Sequence, residues 1–330
     1  MSEQILGIHH VTAIASDPQT NVDFYAGLLG LRMVKKTVNF DDPGTYHLYY
    51  GDEQGSPGTI LTFFPWPGAR RGSRGAGQAT VTSFAVPEGS LSWWRDRLSA
   101  AGVVVADTVE RFGEDSFTFL DPDGLLLEMV ADPSAAERAP WSDGPVPEQQ
   151  AIRGFHSMTL LEADAARTAE LLTGAMGFRL LGQEGEQKGE RSRFAFGEDG
   201  APGTRLDVIH RPGESVGRVA AGSIHHIAFR VAGDAEELAW QRRLMDAGMG
   251  VTEVKDRQYF HSIYFREPGG VLFEIATDPP GFTLDEPLAE LGTSLRLPPW
   301  YESRRSEIEA VLPPLKDPAD LGGGAGEVDR

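Results

Sequence analysis

Apolar residues along this chain fall into four recurrences of one pattern: a short strand-like run, a stretch with three- and four-residue apolar spacing, then further strand-like runs closed by Pro/Gly turns. The first opens IHHVTAIA and predicts a helix over NVDFYAGLLG (21–30). The second opens ATVTSFAV, with a helix over SLSWWRDRLSAAG (90–102). The third opens FHSMTLL, with a helix over ARTAELLTGAMG (166–177), and the fourth opens IHHIAFRV, with a helix over AEELAWQRRLMDAG (235–248). Leu91, Trp94 and Leu98 illustrate the helical stripe. Each helix ends at a glycine suited to a left-handed C-cap: Gly30, Gly102, Gly177 and Gly248. The closing strands match in the same way, GTILTFF (58–64) with GTRLDVI (203–209), and DPDGLLLEMVADP (121–133) with EPGGVLFEIATDP (267–279). The element order is βαβββ, four times over.

The modules group as residues 1–137 and 151–280, joined by the Pro-rich linker 138–150 (RAPWSDGPVPEQQ). Residues 281–330 form a non-repeating extension with an amphipathic segment around Glu302–Leu312 and a Gly-rich end, GGGAGEVDR, expected to be disordered. ARRGSRGAGQ (69–78) fits no phosphate-loop spacing and reads as the connector between the first two modules.

Placing the modules in register exposes the candidate chemistry. The first strands put His10, Thr80, Ser157 and His226 in one slot, and the last strands put Thr62, Glu128, Asp207 and Glu274 in another. Two imidazoles and one carboxylate on a rigid sheet suit a divalent first-row metal and leave positions open for substrate and a second reactant. Strand alternation lets only one His of each His-His pair face the site. Pairing the first and fourth modules collects His10, Thr62, His226 and Glu274. Pairing neighbours in sequence instead joins His10 with Glu128, and Asp207 with His226 and Glu274. Composition does not choose between these. The first is favoured because one site is then complete and the other, with Thr80, Glu128, Ser157 and Asp207, is plainly vacant.

The chain has no cysteine, which excludes disulfides, iron–sulfur clusters, thiolate zinc sites and a cysteine nucleophile. A formal net charge of −19 disfavours nucleic acid and anionic membrane surfaces as partners. The first residues, MSEQILGIHH, carry no secretory pattern, and no apolar run approaches the roughly 18 residues of a membrane span. The expected compartment is the cytoplasm.

The repeats resemble the vicinal-oxygen-chelate superfamily of glyoxalases, bleomycin-resistance proteins and extradiol dioxygenases. Over about residues 5–310 the chain resembles its hydroquinone-type ring-cleaving dioxygenases. The segments that carry this run from GIHHVTAIASDPQTNVDFYAGLLG through GTILTFFPWP, then GSIHHIAFRV and DRQYFHSIYFREPGGVLFEIATDPPGF. The resemblance implies an α+β fold in which four βαβββ modules form two cupped mixed sheets. It implies iron(II) as cofactor (Mn(II), Zn(II) or Ni(II) being alternatives), held by His10, His226 and Glu274. It further implicates His9, Thr12, His225, Arg257 and Tyr264 around the metal, with His225 or Tyr264 moving protons and Arg257 stabilising negative charge. The implied partners are a small aromatic substrate of hydroquinone or catechol type and O2, and sheets of this kind leave surfaces on which copies of the chain can associate.

The bland readings apply elsewhere. Glu128 reads as a structural ion pair with an Arg, His156 as a structural residue, Trp93 and Trp94 as helix packing, and Phe282 and Trp300 as either covering the pocket mouth or packing on the sheet. The competing functions are a glyoxalase-like metal-dependent lyase or isomerase, which often uses two carboxylates, and a metal-free drug-binding protein, which lacks a full ligand set.

Overall fold

The computed structural model describes residues 4–186 and 189–318; the C-terminal GGGAGEVDR segment lies outside the described residues. The first module comprises β1 (Gly7–Ala15), α1 (Pro18–Val22), β2 (Arg32–Asn39), β3 (Asp42–Gly51) and β4 (Ile60–Pro65). The second has β5 (Gln78–Val86), α2 (Leu91–Ala100), β6 (Val109–Arg111), β7 (Glu114–Leu120) and β8 (Leu126–Ala131). The third has β9 (Phe155–Glu162), α3 (Ala166–Thr173), β10 (Arg179–Glu186), β11 (Gly189–Ala195) and β12 (Arg205–His210). The fourth has β13 (Ser223–Val231), α4 (Asp234–Asp246), β14 (Lys255–Asp256), β15 (Phe260–Arg266) and β16 (Leu272–Pro280). The extension carries short 3₁₀ turns and α5 (Arg305–Val311).

Two of the predicted helices differ in extent. The first begins earlier, because the Asp17 carboxylate accepts from the Thr20 N–H at 2.7 Å and Pro18 opens the helix; it continues as a π-helical turn over Asp23–Leu28. The third stops at Thr173, with Gly174 as its cap. All four expected C-cap glycines are left-handed, with φ of 70°, 77°, 70° and 84° at Gly30, Gly102, Gly177 and Gly248.

The sheets settle how the modules pair. One eight-stranded sheet runs β14-β15-β16-β13-β1-β4-β3-β2, and the other β10-β11-β12-β9-β5-β8-β7-β6. The first module therefore shares a sheet with the fourth, and the second with the third. Within each module the first and last strands are parallel, while the modules join through antiparallel pairs, β1 with β13 and β5 with β9. The connector 69–78 runs beside 213–221, bridged at Arg71/Ala221, Ser73/Arg218 and Ala76/Val216.

Alternation along the strands divides the apolar residues between two clusters. Leu48, Tyr50, Ile227, Phe229 and Ile275 join the main core with Trp94 and Trp240 from the helices. Their neighbours Tyr49, Ala228 and Ala276 join a smaller cluster with Val34, Ile60, Tyr259, Phe260, Phe282 and Leu291. The extension reaches this second cluster because Lys35, wholly buried on β2, binds it. Its ammonium donates to Asp285 at 2.6 Å, to the Phe282 carbonyl at 3.1 Å and to Glu286, and it sits 4.8 Å from the Tyr259 ring. Among the described residues, no helix is long and apolar enough to cross a membrane.

Candidate metal centre and active-site cavity

β1 and β13 lie side by side, and β16 flanks β13, so residues 216 positions apart in sequence meet. His10 Nε2 and His226 Nε2 are 3.1 Å apart, and Glu274 Oε2 lies 2.9 Å from the latter and 3.4 Å from the former. Two donors about 2.1 Å from one ion and at right angles stand ~3.0 Å apart, so this spacing fits a single metal. Glu274 Oε2 is buried and makes no hydrogen bond of acceptable geometry, while Ser262 Oγ donates to the other oxygen, Oε1. A buried carboxylate oxygen facing two imidazole nitrogens is the donor set such an ion needs. Burial alone would raise the Glu274 carboxyl, but His10 and His226 hold it well below the usual range.

The paired histidines divide their work through backbone bulges. His9 is the extra residue between Ile8 and His10 on β1, and His225 is the extra residue on β13 opposite Thr12 and Ala13. In each pair the Nδ1 atoms face one another, at 3.0 Å in the first and 2.8 Å in the second. When His10 and His226 carry their proton on Nδ1, each donates it to its neighbour and leaves Nε2 bare for a metal. Burial, then His10, push the His9 imidazole well below its ordinary range, and burial with His226 brings His225 down to about 3. The neighbours are thus neutral acceptors.

His10 and His226 border a cavity of about 350 Å³ whose walls include Phe40, Phe64, Trp66 and Phe260, with His225, Arg257 and Tyr264. Glu274 lies just behind this wall. Arg257 Nε donates to the Tyr264 hydroxyl at 3.1 Å, and Arg257 Nη1 pairs with Asp41 at 3.0 Å. Burial and Glu274 push the Tyr264 phenol up, against the opposing pull of Arg257. Two expected site residues do not line this cavity. His9 packs on Phe260, at 5.0 Å between rings, and borders a smaller neighbouring cavity, because the bulge turns it from the one His10 faces. Thr12 is fully buried and meets the Thr62 hydroxyl at 2.8 Å. Phe282 packs behind Tyr49 and Tyr259, not over the cavity mouth; Trp300, half exposed, packs on Phe40, one of the wall residues.

One slot assignment is corrected. The extra residue in the second module is Thr80 and in the third His156, so Thr80 matches His9, and Val81 matches His10. ATVTSFAV has no histidine pair to mark its register, and a slip of one residue exchanges the faces of a strand. The second sheet fills its equivalent position with guanidinium groups. Asp207 takes two bonds from Arg193, at 2.8 and 3.1 Å, and one from Arg191 at 3.0 Å; Glu128 pairs with Arg111 and accepts from Ser83 at 2.6 Å. His156 pairs with Glu114 at 3.1 Å.

Two residues that the sequence pattern did not single out, His47 and Tyr49, also line the cavity. His47 Nε2 meets Thr62 Oγ1 at 2.9 Å and the Tyr49 hydroxyl meets His47 Nδ1 at 2.8 Å. The signal was available one strand over. Residues paired with the carboxylate slot on the third strand of each module are Tyr49, Thr118, Arg193 and Tyr264. Two positions earlier stand His47, Ser116, Arg191 and Ser262, and each bonds the slot residue of its own module.

The profile of the family described as Glyoxalase/Bleomycin resistance protein/Dioxygenase superfamily matches residues 7–129 and 154–275. The chain is 49% identical to the Bacillus subtilis protein named "Putative ring-cleaving dioxygenase MhqO", over 96% of this chain and 98% of that one. It is 37% identical to the "Chlorohydroquinone/hydroquinone 1,2-dioxygenase" of Sphingobium indicum, over 96% and 98% respectively. A crystal structure of a Bacillus subtilis "putative dioxygenase" superposes with a TM-score of 0.90 at 48% identity, covering 96% of this chain and 99% of that one.

Proposed function

The chain belongs to the Glyoxalase/Bleomycin resistance protein/Dioxygenase superfamily, and from that premise we propose that it is an iron(II)-dependent dioxygenase that opens the ring of a hydroquinone- or catechol-type aromatic. The observation that carries the proposal is the grouping of His10, His226 and Glu274 beside a cavity walled by aromatic rings. That set has a single carboxylate, since the matching slot of the first module holds Thr62, and this supports oxygen chemistry over the two-carboxylate arrangement of glyoxalase-like lyases. Bound there, iron(II) supplies Lewis acidity toward a ring oxygen and a route for electrons between a closed-shell ring and dioxygen.

The remaining chemistry belongs to the side chains. Phe40, Phe64, Trp66 and Phe260 hold a flat ring by face and edge contacts and keep water from it. Arg257, fixed by Asp41 and Tyr264, places a permanent positive charge where a ring oxygen loses its proton. Tyr264, polarised by Arg257, donates its hydroxyl proton toward the reacting end of the substrate. His9 and His225 keep the ligand imidazoles in the tautomer with Nε2 free.

Protein reconstituted with iron(II) under argon and then exposed to air should consume one O2 per aromatic diol turned over, read with an oxygen electrode across a panel of hydroquinones and catechols. Absence of uptake with every member of the panel, at full iron occupancy, rejects this function.

A further inference from the structure

Two tyrosines occupy the same position in the two modules that build the cavity. Tyr49 pairs with Thr62 across β3 and β4, and Tyr264 pairs with Glu274 across β15 and β16. Both line the cavity; Tyr49 is fully buried and Tyr264 partly so. What backs each hydroxyl is opposite in chemistry. Behind Tyr264 stands a guanidinium, a pure donor that cannot take a proton. Behind Tyr49 stands an imidazole, 2.8 Å away through Nδ1.

His47 is built to accept. Its ring lies between Tyr49 and Phe64, with centroids at 4.1 and 4.3 Å, so it has one orientation. Its Nε2 meets Thr62 Oγ1 at 2.9 Å, and Thr62 in turn meets Thr12 Oγ1 at 2.8 Å. With Nε2–H donating to Thr62, Nδ1 is the acceptor for the Tyr49 hydroxyl. Burial, then His10 and His226 on β1 and β13 and Arg257 before β15, hold the His47 imidazole well below its ordinary range, with Glu274 on β16 opposing them, so the free ring is a neutral acceptor. Tyr49 uses one hydroxyl interaction on His47 and keeps acceptor capacity for a ligand.

We propose that Tyr49 is the base that takes the proton of a ring hydroxyl, with His47 as the positioning residue behind it, while Tyr264, backed by Arg257, serves as the donor. The step is balanced: the substrate O–H bond breaks toward Tyr49 Oη as the Tyr49 O–H bond breaks toward His47 Nδ1. The substrate becomes a phenolate and His47 a short-lived imidazolium, since its surroundings disfavour the charged ring, with no change of redox state. One cavity thus separates base from acid by giving the same residue type two different partners. The inference rests on the dioxygenase reading for its substrate, a para- or ortho-diol.

The test uses iron(II)-loaded protein and hydroquinone as probe, comparing wild type with Tyr49→Phe, His47→Asn and the double variant, each checked for iron content and far-UV circular dichroism. The amide introduced by His47→Asn can still bond the Tyr49 hydroxyl but cannot accept its proton. Each single variant should lose about 10²-fold in kcat/KM, and the double variant should lose no more than the worse single one, as expected of residues acting as a unit. Under argon, the pH midpoint at which bound hydroquinone shows its phenolate absorption should rise by about one unit or more in each variant, roughly a tenfold change in the deprotonation equilibrium. His47→Gln, whose amide reaches Thr62 but leaves Tyr49 unbacked, should behave like His47→Asn and serves if the latter does not fold. Single variants within threefold of wild type with unmoved midpoints, or losses that multiply in the double variant, overturn the assignment. If wild type binds hydroquinone but consumes no oxygen, the dioxygenase reading falls, and the midpoints still decide the role of Tyr49 and His47.

Discussion

A metal at His10, His226 and Glu274 would tie together the two ends of the chain, and its effect on stability can be worked out. A ligand that binds only the folded state stabilises it by RT ln(1 + [L]/Kd), about 2.7 kcal/mol at a free concentration one hundred times Kd. An unfolding entropy of about 2.1 cal/mol/K per residue, taken over the 330 residues, is about 0.7 kcal/mol/K, so the expected shift in Tm is about 4 °C. The ligands come from β1, β13 and β16, all in one sheet, so the added protection should be concentrated there and be small in the β5/β9 sheet. The assay is thermal unfolding by circular dichroism under argon, with and without iron(II), followed by amide hydrogen exchange of both forms. His226→Ala removes one of three ligands and should abolish the shift while leaving the metal-free protein folded. An equal shift in His226→Ala, or protection spread evenly over both sheets, would refute the assignment of these residues as the ligands.

Lys35→Met should destabilise the protein by about 3 kcal/mol, because Asp285 and the fully buried Glu286 lose their ammonium partner while Glu286 keeps Arg296 at 3.2 Å; urea unfolding measures this, and a cost below about 1 kcal/mol would show that Lys35 does not anchor the extension. Adding Glu286→Gln should recover part of the loss. Burial, then the nearby Glu267, raise the Glu162 carboxyl to about 8, and its Oε1 has no hydrogen-bond partner. The folded state therefore holds this proton between about pH 4.5 and 8 while the unfolded chain releases it, so its contribution to stability falls as pH rises through that window. Glu162→Gln should be more stable than wild type at pH 8 by about 1–3 kcal/mol, with the advantage shrinking toward pH 5; an advantage independent of pH in unfolding titrations would contradict the shift.

The candidate ligands were legible because each carries a mark that alternation makes readable: two His-His pairs opening equivalent strands, and a glutamate inside the apolar run VLFEIA. The pairing of distant modules followed from asking which combination completes a site, and the sheet order agrees. The Thr80 register did not follow, because bulges insert a residue without any signature in ATVTSFAV. His47 and Tyr49 escaped because slots were read on the first and last strands only, whereas the third strand lies directly against the last and supplies His47, Tyr49 and Tyr264 to the cavity wall. The Lys35 anchor joins residues about 250 positions apart with no repeat to link them, and nothing local distinguishes it from a surface lysine.

The two sheets answer one electrostatic problem in two ways. Each buries carboxylates at the same slot, and an isolated buried carboxylate is costly unless a cation or hydrogen bonds compensate it. In the second sheet neighbouring strands supply the cations: Arg191 and Arg193 of the third strand β11 stand on Asp207, and Arg111 reaches Glu128 from β6. Such a slot is closed, since each carboxylate already has its cation. In the first sheet the same third-strand positions hold Ser262 and Tyr264 beside Glu274, and the nearby Arg257 is committed to Tyr264 and Asp41. Glu274 is left with one hydroxyl donor and two imidazoles whose Nε2 atoms converge on it, an arrangement suited to a cation small enough to sit among three ligand atoms. Arginine in place of Ser262 or Tyr264 would supply that cation from within the chain. The candidate metal centre thus lies where the first sheet withholds the arginines that its counterpart uses.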